Sequence, residues 1–304
     1  DVVPLDRVNR VLVAQGLERI RAGRACPGIA ALLELAGRDP RRATTTDLGF
    51  FVGPRLNAAG RLQDMAIGIE CLLADDPLSA RALATTLDTL NRERRAIEQQ
   101  MQAQALTMVD DIHLGRAGEL PVGLCLYEPT WHQGVVGLLA SRLKERLHRP
   151  VIAFAPGEAG WLKGSGRSVP GVHIRDVLDA IATGNPGLLD RFGGHAMAAG
   201  LTLRETDLPA FRAAFDTEVQ RWLAADAIAG VIHSDGEIAA GDLQLGLAEA
   251  IRAGGPWGQA FPEPLFDNAF EVLDHRVVGA HHLRLSLRPV DGTRGIEAIA
   301  FNQA

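Results

Sequence analysis

The chain has no apolar run approaching the roughly 18 residues needed to cross a bilayer, so no membrane partner is expected. It has only three cysteines, Cys26, Cys71 and Cys125, far apart and without C-x-x-C spacing. That excludes a disulfide framework or a structural zinc site as the organising principle and points to a reducing cytoplasm. A basic surplus is also missing: the net charge is −6, which taken alone argues against a nucleic-acid partner, because phosphate binding leaves a basic footprint. The chain starts at Asp1 without a basic-then-apolar leader and stops at Ala304 without a terminating motif, so both ends read as cuts. The last absence is chemical. Metal-dependent phosphodiester hydrolysis needs carboxylates or imidazoles converging on divalent ions, and no such cluster stands out. Asp110, Asp111 and His113 are suitable types, but adjacent acids on a helix face different ways, and a solvated helix end accounts for them better.

The 304 residues, 47% hydrophobic and 22% charged, suit two or three globular domains. Charge is uneven: residues 1–61 carry ten Arg against six acids, whereas 226–304 carry five Arg against eleven acids. The tail is therefore a poor main phosphate-binding surface. The first segment predicts short helices, Val8 to Ala22 and Gly28 to Leu35, and the run Val2 to Leu5 resembles the exit of a buried strand. A small independent helical cap is the alternative. From Leu78 to Leu114 there is no Gly or Pro, and Asp76-Pro77 offers an N-cap and first helical position, so a helix of roughly 50 Å is expected. Its stripe is Leu83, Leu87, Leu90, Ile97 and Met101, with Asn91 to Arg95 largely off it. Such a helix suits a connector between lobes; a coiled-coil dimer helix is the alternative. Beyond it, strands at Pro121 to Tyr127 and Val151 to Ala155 alternate with helices at Val135 to Leu147, Ile174 to Ala182 and Leu208 to Leu223, an α/β pattern. Short β runs at Phe270 to Leu273, His282 to Leu287 and Gly295 to Phe301 predict a small antiparallel sheet or barrel.

Three glycine-bearing segments in the α/β part carry candidate chemistry. In Trp131-His132-Gln133-Gly134-Val135-Val136-Gly137 a strand exit meets a helix start, where amides favour an anion and His132 can donate to a phosphate or simply fix the loop. In Lys163-Gly164-Ser165-Gly166-Arg167-Ser168 the glycines let amides approach an anion, and Lys163, Ser165, Arg167 and Ser168 add donors. Arg167 is the leading candidate because a guanidinium holds two phosphate oxygens at once; a flexible polar turn is the alternative. In Phe192-Gly193-Gly194-His195, His195 follows two glycines on a turn and is read as pointing into a cleft.

These three segments, in this order from about Pro121 to Leu223, resemble the DHH-associated domain of the DHH phosphoesterase superfamily, with Gly193-Gly194-His195 as the hallmark. Gly53-Pro54-Arg55-Leu56-Asn57-Ala58-Ala59-Gly60-Arg61 is similar to the segment that closes the catalytic domain in the RecJ family. The run Gly255 to Pro264 resembles the start of that family's oligonucleotide-binding (OB) fold. The resemblance implies an α/β multidomain chain: the end of a DHH catalytic domain over 1–76, a connecting helix over 77–114, a DHH-associated domain over 115–225 and a β-rich OB-like tail over 226–304. It implies 5′-to-3′ hydrolysis of single-stranded DNA in repair and recombination, with Mn²⁺ or Mg²⁺ in the intact protein and no metal held by this chain. Implied partners are a single-stranded DNA 5′ end, a single-strand-binding protein and a helicase, with the chain a monomer. The expected contacts are Asn57 and Arg61 near the DNA path, Ser165, Arg167 and the catalytic candidate His195 at the terminal nucleotide or scissile phosphate, and His132, Lys163, Ser168, Gly193 and Gly194 as further DNA-binding residues. Trp257 is the tail's stacking candidate, although the prolines and Phe261 beside it also suit a packed turn. A cyclic-dinucleotide or short-RNA phosphodiesterase and a noncatalytic nucleic-acid-binding module remain alternatives.

Overall fold

A computed structural model describes residues 3–115, 120–223, 231–279, 282–301 and 303. The helices come first: α1 (Arg7–Arg21), α2 (Pro27–Leu35), the single turn α3 (Thr45–Asp47), α4 (Gly53–Leu62), α5 (Ala66–Leu73) and α6 (Pro77–Gly115). Next come β1 (Leu124–Tyr127), α7 (Val136–Leu147), β2 (Val151–Pro156), β3 (Trp161–Arg167), α8 (Ile174–Gly184), β4 (Arg191–Gly194), β5 (Ala198–Arg204) and α9 (Leu208–Trp222). The tail adds α10 (Leu245–Gly254), β6 (Phe270–Val278), β7 (His282–Pro289) and β8 (Ile296–Ala300). Among the described residues no helix is long and apolar enough to cross a membrane. The chain divides into a larger unit, Ala25–Pro40 with Thr46–Gly230, and a smaller one, Asp1–Arg24 with Arg41–Thr45 and Val231–Ala304. The expected block 1–76 is thus split, its first helix grouping with the tail. The expected boundary at 225–226 lies outside the described residues.

In the larger unit α6 runs for 39 residues, about 58 Å at 1.5 Å per residue. It starts where the sequence predicts: Asp76 Oδ1 accepts from the amides of Leu78 at 3.0 Å and Ser79 at 2.9 Å, satisfying two of the first-turn donors. Its buried face differs from expectation. Of the expected stripe Leu87, Leu90 and Met101 are buried but Leu83 and Ile97 only half-buried, and besides Leu90 the covered positions step by three and four through Ala80, Ala84, Leu87, Asn91, Arg94, Glu98, Met101, Ala105 and Val109. The stripe is apolar at both ends and polar in the middle. The first end packs against α2, α4 and α5, the second beside α7 on the sheet.

The sheet has the order β1-β2-β3-β5-β4, with β1 and β2 parallel and every other pair antiparallel. On one face Leu124, Leu126, Val151, Ala153 and Ala155 meet Leu139, Ala140 and Leu143 of α7 and the far end of α6. On the other, Ile152, Phe154, Leu162, Leu201 and Leu203 meet α8 and α9. Phe154 stands edge-on to Phe211, centroids 5.7 Å apart, and Phe211 stacks on Phe215. The segment expected to be an anion-cradling turn is instead β3, the central strand, hydrogen-bonded to β2 and β5. Its amides are committed to the ladder, and its glycines answer to packing. A Cβ on Gly164 would lie 2.6 Å from Phe154 Cε1 and 2.7 Å from Leu201 Cδ2, and one on Gly166 2.5 Å from Ile174 Cδ1.

In the smaller unit Asp6 caps α1 through the Asn9 amide at 2.9 Å. Residues 3–5 are not the exit of a buried strand: Val3 is exposed, and the Leu5 amide donates to Gln259 O at 2.7 Å. Val2 lies outside the described residues. The strands β6, β7 and β8 form an antiparallel meander with an irregularity between Val272 and Asp274. All three β runs of the tail are present, the first two longer than their apolar cores suggest because charged residues continue them. Among the described residues the sheet does not close into a barrel.

Because β3 has no room for a methyl group at position 164, Gly164→Ala should destabilise the larger unit by about 1–3 kcal/mol. Urea denaturation followed by circular dichroism measures this as a lowered midpoint.

Candidate nucleic-acid interface

Helix α4 carries Asn57 and Arg61 one turn apart, on one helix face. Arg61 is half-buried, and its Nη1 donates to Gly134 O at 3.1 Å. Contact between α4 and the 131–137 loop is close enough to dictate a residue: a Cβ on Gly134 would lie 2.0 Å from the Arg61 carbonyl oxygen. His132 Nδ1 accepts the Gly134 amide at 3.1 Å. That bond assigns the ring proton of a neutral imidazole to Nε2, leaving a donor on an exposed side chain. Both readings of His132, loop-fixing and donating, are therefore compatible in one geometry.

Two residues past Gly134, α7 begins against β3. A Cβ on Gly137 would lie 2.9 Å from Ser165 Oγ and 3.1 Å from Arg167 Nη2. Ser165 and Arg167 are two apart on β3 and share a sheet face, and Arg167 Nη1 donates to Ser165 Oγ at 3.1 Å and to Gly166 O at 2.8 Å. Lys163 follows on the same face, exposed. Strand register extends this face: Ser165 lies opposite Gly200, which lies opposite Gly193, and Lys163 lies opposite Thr202, which lies opposite Arg191. The row through Ser165 is bare of side chains across β5 and β4. A Cβ placed on Gly193 would meet nothing within 4 Å, and one on Gly200 nothing nearer than 4.0 Å. Gly194 differs: its φ is +147° and a Cβ would meet Ala198 O at 2.3 Å, which closes the β4–β5 turn on glycine. His195 sits exposed in that turn, its amide bonded to Ala198 O at 2.8 Å, and Ala198 lies opposite Arg167.

Positive charge dominates this region. Burial is the first cause holding the Arg61 and Arg167 guanidiniums below the usual arginine range; the Arg61 charge adds to the lowering at Arg167, whereas Glu98 offsets it at Arg61. Both side chains remain cations. Withdrawn from water, they gain more from an anion than exposed arginines would.

Two other expected contacts are engaged by their own surroundings. Ser168 is 1% exposed, and its Oγ donates to the buried Val172 carbonyl at 2.7 Å, a structural bond. Trp257 stacks on Phe261, centroids 5.0 Å apart at 11°, and Arg10 lies over the Phe261 ring at 3.7 Å. Trp257 also lies against Gly254, where a Cβ would be 3.0 Å away, and its Nε1 donates to Ile251 O at 3.0 Å. These contacts pack the indole into its own turn.

Sequence reasoning missed Asn91, Arg94, Glu98 and Arg142. Arg94 donates to Asn91 Oδ1 at 3.0 Å and pairs with Glu98, whose other oxygen takes Arg142 Nε of α7 at 3.3 Å. The alternating three- and four-residue steps through Leu87, Asn91, Arg94, Glu98 and Met101 were the available signal. The donor set does not suit a divalent metal. Among the described residues no three His, Cys, Asp or Glu side chains come together to hold one, and Asp110, Asp111 and His113 lie at the end of α6 without forming such a group.

The fold around this surface corresponds to known domain types: the family model of the DHHA1 domain matches residues 121–221, and that of the RecJ OB domain matches residues 234–304. The chain belongs to the RecJ family. It is 55% identical over 302 residues to the single-stranded-DNA-specific exonuclease RecJ of Dickeya dadantii (strain 3937), covering 99% of this chain and 52% of that protein. It is 52% identical to the protein of the same name from Escherichia coli (strain K12), again covering 99% and 52%. Among solved structures, RecJ from Thermus thermophilus in complex with Mn²⁺ superposes with a TM-score of 0.80 at 30% identity, covering 100% of this chain and 42% of that one. The chain spans about half the length of the curated relatives it matches.

The two serines of the β3 segment should separate cleanly. Ser168→Ala leaves the Val172 carbonyl unpaired and should cost about 1–3 kcal/mol of stability without changing anion binding. Ser165→Ala should do the reverse, which paired denaturation and phosphate-binding titrations read directly.

Proposed function

We propose that this chain is the strand-holding part of an exonuclease that degrades single-stranded DNA from its 5′ end, and that Arg61, Ser165 and Arg167 receive the terminal phosphate. The observation that carries the reading is the gathering of two partly desolvated guanidiniums and one serine hydroxyl around the start of α7. Each guanidinium has donors in a planar fork suited to phosphate oxygens. Ser165 Oγ accepts from Arg167, which leaves its own proton to donate to the ligand. His132, through Nε2–H, supplies a further donor from the loop that Arg61 clamps.

The bare row of Gly193 and Gly200 lets a sugar-phosphate backbone lie against the sheet, and Lys163 attracts the next phosphate. Asn57 tracks the strand from α4, and His195 donates to the phosphate that is cut. Divalent metal ions, Mn²⁺ or Mg²⁺, supply an activated water when bound in the intact protein. The residues described here do not fit such an ion, and the role assigned to them is to grip and orient the strand. The family name supports single-stranded DNA as substrate. Repair and recombination, a monomeric state, and a single-strand-binding protein or helicase as partner rest on the family resemblance, and a cytoplasmic setting on the few, scattered cysteines.

End recognition has a direct test. Arg167→Ala should weaken binding of a 5′-phosphorylated oligonucleotide by about 1.5–3 kcal/mol, roughly 10- to 100-fold, and of its 5′-hydroxyl counterpart far less, as read by fluorescence anisotropy. Equal loss on both would refute it. Lys163→Gln, in contrast, should weaken both equally and reduce the slope of log affinity against log salt by about 0.7.

A further inference from the structure

Around the anion pocket, positive charge exceeds what the protein itself neutralises. Asn91 and Arg94 are 1% and 8% exposed, on the covered face of α6 midway along its length. Arg94 Nε and Asn91 Nδ2 are buried donors without a partner, an arrangement that costs free energy unless something else returns it. Glu98, 8% exposed, is the carboxylate paired with Arg94, and it is divided between Arg94 of its own helix and Arg142 of α7, whose Nη1 also meets Glu145 Oε2 at 3.5 Å on the exposed side. Arg142 lies on the helix whose first turn, at Gly137, walls Ser165 and Arg167. A single carboxylate thus ties α6 to the wall of the pocket. The same carboxylate acts on the charge of Arg61, and Arg61 in turn acts on that of Arg94.

We propose that Glu98 is a positioning residue and internal counter-ion of the pocket: its carboxylate compensates Arg94 and Arg142 while no phosphate is bound, and it sets the position of α7 against Ser165 and Arg167. This rests on reading the pocket as a phosphate site. When phosphate enters, it shares with Glu98 a cluster of guanidiniums in which Arg94 Nε still lacks a partner. Removing the carboxylate leaves the empty protein poorer in compensating charge, so bound phosphate then contributes more to stability. A residue that merely packs would lower stability by the same amount with or without the anion.

The experiment is thermal unfolding of the purified chain against inorganic phosphate, at ionic strength held constant with chloride. Glu98→Gln should melt below the unaltered protein without phosphate, and phosphate should raise its melting temperature by at least about twice the increment seen in the unaltered protein. Glu93→Gln, an exposed site on the same helix with the same charge change, controls for general anion effects and should keep the unaltered increment. An increment in Glu98→Gln equal to that of Glu93→Gln would overturn the proposal. Should Glu98→Gln fail to fold, Arg142→Gln serves, because that side chain is 58% exposed. It leaves Glu98 undivided and should shrink the phosphate increment below that of the unaltered protein; an unchanged increment would sink the idea equally. These readings do not involve DNA, so a failure of 5′-end discrimination in the oligonucleotide test stays distinguishable from a failure here.

Discussion

Taking a guanidinium out of water costs free energy that only opposite charge and hydrogen bonds return, and the larger unit bears that cost at Arg61, Arg94 and Arg167, as it does separately at Arg149. Much of the surrounding geometry serves to meet it. The middle of α6 is polar on its covered side because it must face these groups, and the apolar ends of the same stripe hold the helix in place on either side. Arg61 leans on the Gly134 carbonyl, Arg167 on Ser165 and Gly166, and Arg94 on Asn91 and Glu98. Each arginine is held by neutral oxygens or by one shared carboxylate, an arrangement that orients the cations without neutralising them.

The sheet contributes rigidity to this arrangement. Side chains on β3 alternate between a packed face, where Phe154, Leu201 and Ile174 fill the space above Gly164 and Gly166, and an open face that carries Lys163, Ser165 and Arg167. A donor on a central strand cannot wander as one on a loop can. These three side chains are therefore fixed by the ladder, with the start of α7 beside Ser165 and Arg167 and the end of α4 held to the preceding loop.

Much of the fold is legible in the sequence because its signals are local. The Asp76-Pro77 start, the glycine-free length of α6 and the alternation of β1, α7, β2, α8 and α9 each follow from capping, propensity or period. The failures share a different cause. From sequence β3 resembles a turn because its glycines and polar residues disguise a strand, and the partners that demand those glycines, Phe154 and Leu201, lie elsewhere in the chain. Adjacency groups Ser168 with Ser165, yet Ser168 lies just past the end of β3, where its side chain turns inward to Val172. Trp257 cannot be judged without Arg10, more than two hundred residues away, which lies over its partner Phe261. The polar stretch of α6 falls on the unexpected face because charged residues are expected outside, a rule that gives way where buried charges have partners. Four of the site candidates, Arg61, His132, Ser165 and Arg167, do come together. The chemistry of their segments points to His132, Ser165 and Arg167, and the family resemblance to Arg61; only the tertiary contacts through Gly134 and Gly137 show how they gather.

The glycines of the sheet fall into two classes, and the difference bears on how the family can change over time. Gly164 and Gly166 are fixed by their own neighbours, so any lineage that keeps this core must keep them. Gly193 and Gly200 meet no such constraint, since a side chain there would touch almost nothing in the chain itself. Folding would tolerate drift at these two positions, and whatever selection acts on them comes from what the protein touches. Selection for stability and selection for use are thereby separated onto opposite faces of a single sheet, a few ångströms apart.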